Sequence, residues 1–200
     1  MEKIIWGVDP GSSICGLCRL DSGLIGDCFN VEPNKVYREI LSRSKGSQFI
    51  VAIEDIFPYS LKLTPSVIDT CKLIGELTYR FNTCKQVDAV KLVARNSIKK
   101  FIYDSVPDEC IPRINKKILD KHNRNIKQEK KGLIKLNGEM RLPSFNWVDD
   151  RIVIAALKSI LNIPTPKPGK PNIFGLKSHS WNALAVAYFV HIGSFTNEKQ

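Results

Sequence analysis

The sequence predicts an α/β fold, a mixed five-stranded sheet flanked by helices with a basic helix-hairpin insertion, and three observations carry that reading. Short β-branched runs alternate with segments of helical periodicity. Three strand-like runs precede the first helical one, after which strand and helix alternate. The apolar content, 43% of 200 residues, suffices for one packed core and is too little for two domains of usual size.

Taken in order, Ile4-Ile5-Trp6-Gly7-Val8-Asp9 is a buried strand, and Pro10-Gly11 turns it toward a second strand from about Ile14 to Leu20. A third strand spans about Gly23 to Val31. An amphipathic helix carrying Val36, Ile40 and Leu41 follows, then the β-branched strand Phe49-Ile50-Val51-Ala52-Ile53-Glu54. Thr64-Pro65 starts a helix, with Thr as N-cap and Pro at the first helical position, and Val67, Ile68, Cys71, Ile74 and Leu77 recur at helical spacing. Val87 to Val93 is a fifth strand, followed by a helix from about Ser97 that buries Ile98, Phe101 and Ile102. This order is the core of an RNase H-like fold; the order of the strands in space is not written in it.

From residue 111 to 145 the alternation breaks. Arg113, Lys116, Lys117, Lys121, Arg124, Lys127, Lys130, Lys131 and Lys135 crowd the stretch 113–135, opposed there only by Asp120 and Glu129, and Asn137-Gly138 predicts a two-residue hairpin turn. We read it as an arm inserted into a single domain spanning 1–195. Asp149 to Leu161 resumes as a helix, a Pro- and Lys-rich loop follows, and a last helix begins near Ser178 before a polar tail at 196–200.

The formal charge of +10, with pI near 9.4, points to a polyanionic partner, and its concentration in the arm favours nucleic acid over an evenly solvated surface. The six cysteines lie scattered in apolar contexts, which suits buried free thiols in a reducing compartment better than a disulfide framework. Cys15 and Cys18 have the spacing of half a zinc site, but three-residue separation on a strand points them to opposite faces. Nothing at the N-terminus resembles a signal peptide and no run approaches membrane-spanning length, so the expected location is intracellular and cytoplasmic.

Asp9 and Glu54 each end a strand whose other side chains are apolar. A carboxylate there is costly unless paired, solvated or bound to a cation. If the two strands are parallel neighbours, both acids meet at their carboxyl ends, where open α/β sheets place sites. Separately, Asp9 could cap its own turn through the amides of Gly11 and Ser12, and Glu54 could face water.

Several runs carry a family resemblance. Ile5 to Gly16 (IWGVDPGSSICG) resembles the first strand and hairpin of the RuvC-type Holliday-junction resolvases, whose Asp-Pro-Gly turn holds the first metal ligand. Ile53-Glu54-Asp55-Ile56-Phe57 is similar to that family's second motif, a catalytic Glu followed after three residues by an aromatic associated with the junction. Lys72-Leu73-Ile74-Gly75 resembles the helix that comes next, and Ala94-Arg95 with Lys99-Lys100 resembles the basic turn after the fifth strand. His179-Ser180-Trp181-Asn182-Ala183-Leu184-Ala185 resembles the last helix, where an acid or His precedes an Asp by three residues. His179 and Asn182 share a helix face at that spacing, and Ala183 and Ala187 allow close approach to the sheet.

The resemblance implies a homodimeric endonuclease of four-way junctions that uses two Mg²⁺ ions, with Mn²⁺ able to substitute. Asp9 would bridge the ions, Glu54 would bind one, and His179 with position 182 would complete the site. Phosphates would be held by Lys72, Lys99, Lys100, Lys116, Lys117, Lys121, Arg151, Lys167 and Lys170, while Phe57 would wedge or stack at an opened base step or else pack ordinarily. Asn182 departs from the pattern, because an amide removes one negative charge from a site for hard cations. Either it replaces an Asp and traps an uncleaved state, or Asp149 or Asp150 serves instead; those two acids could equally cap their helix. Activity on flaps, branched DNA or RNA–DNA hybrids, and a catalytically silent junction binder, are the alternatives.

Overall fold

The computed structural model describes residues 3–56, 63–105, 150–164 and 174–196. The basic arm with its hairpin, Phe57, Asp149, Lys167, Lys170 and the tail at 197–200 lie outside them. The chain forms two compact units, one of Met1–Ile98 with Pro164–Gln200, the other of Lys99–Ile163.

In the first unit, β1 (Ile4–Asp9), β2 (Cys15–Asp21) and β3 (Leu24–Val31) form an antiparallel meander. A short 3-10 turn leads into α1 (Val36–Ser44), β4 (Phe49–Asp55), α2 (Pro65–Asn82) and β5 (Val87–Ala94). The sheet order is β3-β2-β1-β4-β5, with β4 parallel to both β1 and β5. Parallel pairing needs a crossover, and α1 and α2 supply it. Thr64 caps α2 as expected, its Oγ1 accepting from the Val67 amide at 3.3 Å. Two expectations on that helix fail: Ile68 and Cys71 are exposed, and the buried face is Thr70, Ile74, Leu77 and Phe81. The helix packs on one side only, so a stripe of apolar residues wider than that side leaves some in water.

Side chains alternate across the sheet, and its two faces are built differently. Trp6, Val8, Leu17, Phe49, Val51 and Ile53 join Val36, Ile40, Ile74, Leu77 and Phe81 in one core. Trp6 is fully buried there, its Nε1–H donating to Ser44 Oγ at 3.0 Å.

The other face is covered by the last helix, α5 (His179–Thr196), after α3 (Arg95–Ser105) and α4 (Asp150–Ile160) have intervened. A Cβ on Gly7 would collide with the Ala183 carbonyl and lie 2.9 Å from Ala187 Cβ, and one on Gly16 would collide with the His179 carbonyl. Glycine in the sheet and alanine on the helix therefore let the two backbones nearly touch, as the Ala183 and Ala187 spacing predicts. On this face Cys18 and Cys28, register partners in β2 and β3, are joined in a disulfide. That corrects the expectation of free thiols for these two, while Cys15, Cys71 and Cys84 are free; cross-strand register brings together cysteines ten residues apart, and spacing alone does not reveal it.

The second unit contains most of α3 and α4, the boundary falling after Ile98. Helix α3 begins at Arg95, two residues earlier than expected, and α4 buries Ile152, Val153, Ala156 and Leu157 along one side. No helix among the described residues is long and apolar enough to cross a membrane.

Candidate active site

Asp9 and Glu54 project from the carboxyl ends of β1 and β4, on the face covered by α5. The register places Val8 beside Ile53, so the next residues along, Asp9 and Glu54, are neighbours across a parallel pair. Both are buried, at 8% and 3% exposure, so neither caps a solvated turn nor faces water.

The first turn of α5 meets Asp9. His179 Nδ1–H donates to Asp9 Oδ2 at 2.8 Å, and Asn182 Nδ2 donates to the same oxygen at 3.2 Å. The i, i+3 spacing thus delivers both side chains to one carboxylate. The turn is anchored from the meander: Asp9, Gly16 and Asn30 lie side by side across β1, β2 and β3. Asn30 Oδ1 accepts from the Ser180 amide at 3.1 Å, a donor it shares with the Lys177 carbonyl. Ser180 Oγ closes the turn by donating to the Lys177 carbonyl and accepting from its amide.

Glu54 has a different partner. Strand β5 ends at Ala94 opposite Asp55, the chain turns directly into α3, and Arg95 Nη1 donates to Glu54 Oε1 at 2.6 Å. Glu54 Oε2 is buried without a hydrogen-bond partner. The Asp9 carboxyl, which interacts with Glu54, is another acceptor, and two acceptors satisfy each other only through a shared proton or a cation. Burial pushes the Glu54 carboxyl up to about 7 against the opposing pull of Arg95, with the charge of Asp9 adding to the rise.

An orphaned buried oxygen beside a second carboxylate is what a hard divalent cation would complete, so the donor chemistry fits a metal. Among the described residues no three His, Cys, Asp or Glu side chains already stand as a ligand cluster. His179 and Asn182 act here as hydrogen-bond donors to Asp9.

Of the other predicted residues, Lys72 is exposed on α2 and pairs with Asp69 at 3.5 Å. Lys99, half-buried, and Lys100, exposed, lie on α3 within the second unit, where Asp150 opens α4 and Arg151 follows. Lys116, Lys117 and Lys121 fall outside the described residues. Sequence reasoning missed Asn30 and Ser180, and gave Arg95 no partner among the acids. The adjacency of Arg95 to the end of a strand was the signal available for the last.

No family model matches the chain, and no curated protein matches it. Among solved structures, Thermus thermophilus RuvC in complex with a Holliday junction substrate matches at a TM-score of 0.52 and 16% identity, covering 96% of both chains. A second Thermus thermophilus RuvC structure matches at 0.49, with the same identity and coverage. At this identity the likeness is one of architecture, and it agrees with the mixed five-stranded sheet and its helices. The chain has the RNase H-like fold of the RuvC Holliday-junction resolvases.

Proposed function

We propose that this protein is a structure-selective DNA endonuclease that hydrolyses phosphodiesters at four-way junctions with the help of divalent metal. The observation that carries the reading is the buried Asp9–Glu54 pair at adjoining parallel strand ends, with Glu54 Oε2 left unsatisfied. Asp9 and Glu54 would hold the metal, and His179 and Asn182 would orient Asp9. Bound Mg²⁺, in one or two ions, would supply an activated water and neutralise charge on the leaving oxygen. With Nδ1 of His179 engaged by Asp9, its other ring nitrogen, Nε2, would take the proton of the attacking water. The excess positive charge holds the DNA backbone and the chemistry needs no base contact, so selectivity comes from the shape of the junction. Symmetric cuts across a junction require two such sites related by a two-fold axis, hence a homodimer.

The test is a Mg²⁺-dependent cleavage assay comparing a four-way junction with a flap, a linear duplex and an RNA–DNA hybrid. Preference for the junction is expected. Preference for the flap or the hybrid would reassign the substrate within the same chemistry, and no cleavage of any substrate would remove the enzyme reading.

The Asn182 bond favours a second reading, a junction binder without activity, because an amide donor occupies the Asp9 oxygen that a metal would use. Asn182→Asp separates the two. If the amide is what silences the site, the extra carboxylate raises cleavage about 10²-fold, a few kcal/mol of transition-state stabilisation. If the Asn form already cuts at a rate the Asp form cannot improve, the amide belongs to a working site, and Asp149→Asn and Asp150→Asn show which acid serves.

A further inference from the structure

We propose that Arg95 is a built-in counter-cation of the acid pair, one whose charge opposes divalent metal at Glu54, so that metal binds more weakly than it would to the acids alone. The inference rests on the reading of Asp9 and Glu54 as a metal site.

Three observations lead to it. The Arg95–Glu54 contact, at 2.6 Å, is a tight ion pair between a buried acceptor and a partly exposed donor. The Glu54 side chain is 4% exposed in a central strand, whereas that of Arg95 is 34% exposed at the first position of a helix. Next, the guanidinium engages Oε1, and the other oxygen has no hydrogen-bond partner. A guanidinium that forked both oxygens would close the carboxylate, while this geometry leaves an acceptor for another cation. Lastly, any cation held by Glu54 shares that carboxylate with the guanidinium. Like charges one carboxylate apart repel strongly in a buried setting, so the two occupants oppose each other. Arg95 thereby offsets the charge of the pair while metal is absent and weakens metal binding in the same act. It acts through Glu54 and is a positioning residue.

The experiment is a Mn²⁺ titration of the full chain at about pH 8.5, followed by calorimetry and by the paramagnetic resonance of free Mn²⁺, for the wild type, Arg95→Gln, Arg95→Lys and Asp9→Asn. Removing the charge with Arg95→Gln should tighten Mn²⁺ binding about tenfold or more. Arg95→Lys, which keeps the charge, should stay within about threefold of the wild type. Thermal unfolding establishes that each variant is folded, and Arg95→Met replaces the Gln variant if that one is not. A merely structural role would loosen metal binding when Arg95 is replaced, so weaker or unchanged affinity in the neutral variant overturns the proposal, as does equal tightening by Lys and Gln. If Asp9→Asn abolishes binding in those cases, the metal site itself stands. Binding that ignores Asp9→Asn, or no binding in any form, overturns the metal site and the counter-cation with it.

Discussion

The two faces of the sheet differ in what fills them. One is a packed layer of Trp6, Phe49, Phe81 and aliphatic side chains, where stability comes from apolar area removed from water. The other sets glycine against alanine, then ends in two buried carboxylates, an arginine and the first turn of α5. Bulky packing tolerates exchange of one apolar shape for another. Backbone against backbone tolerates nothing larger than hydrogen, and it fixes where α5 starts, which in turn fixes His179 and Asn182 over Asp9. Polar groups collect on the face where the chain has least freedom.

That division can be broken by substitutions that separate activity from stability. The largest effect belongs to Asp9→Asn, expected to lower junction cleavage by about 10³-fold or more while junction binding and the unfolding midpoint stay near those of the parent. Cleavage at the parental rate would take Asp9 out of the chemistry. On the opposite face, Phe81→Ala removes a fully buried ring and should cost about 4 kcal/mol in denaturant unfolding. The surviving folded fraction should cut at the parental rate per molecule, and a specific loss of turnover would mean that the faces are not independent.

A smaller effect concerns pH. The Glu54 carboxyl, raised from 4.5 to about 7 chiefly by burial, holds its proton in the folded state after the unfolded chain has lost its own. The stability from that proton is therefore fully present below about pH 4.5 and is lost as pH rises to about 7, amounting to roughly 3 kcal/mol. Melting of the metal-free protein across this window should reveal the decline, and Glu54→Gln should flatten it. An unchanged slope in the Gln variant would assign the decline to another group. The smallest expected change, confined to binding, comes from neutralising Lys116, Lys117, Lys121, Lys130 and Lys131. It should flatten the salt dependence of junction affinity by about 0.9 in logarithmic slope for each phosphate that the arm no longer neutralises. A slope that does not move would mean that the arm does not meet the DNA.

Much of the architecture was legible in the chain because it is local. Short apolar runs between turn residues marked the five strands, Thr64-Pro65 marked the start of α2, and the acids at the ends of Ile4–Asp9 and Phe49–Glu54 marked the site before any strand order was known. The spacing of His179 and Asn182 likewise stated that they share a helix face. Tertiary structure alone decided which groups meet: Arg95 on Glu54, the Asn30 side chain on the Ser180 amide, Cys18 with Cys28, and Gly7 and Gly16 beneath α5. Each of these depends on strand order and register, and a slip of one residue would send every such side chain to the opposite face. Periodicity states which face of an element is apolar; only the packed sheet determines what stands across from it.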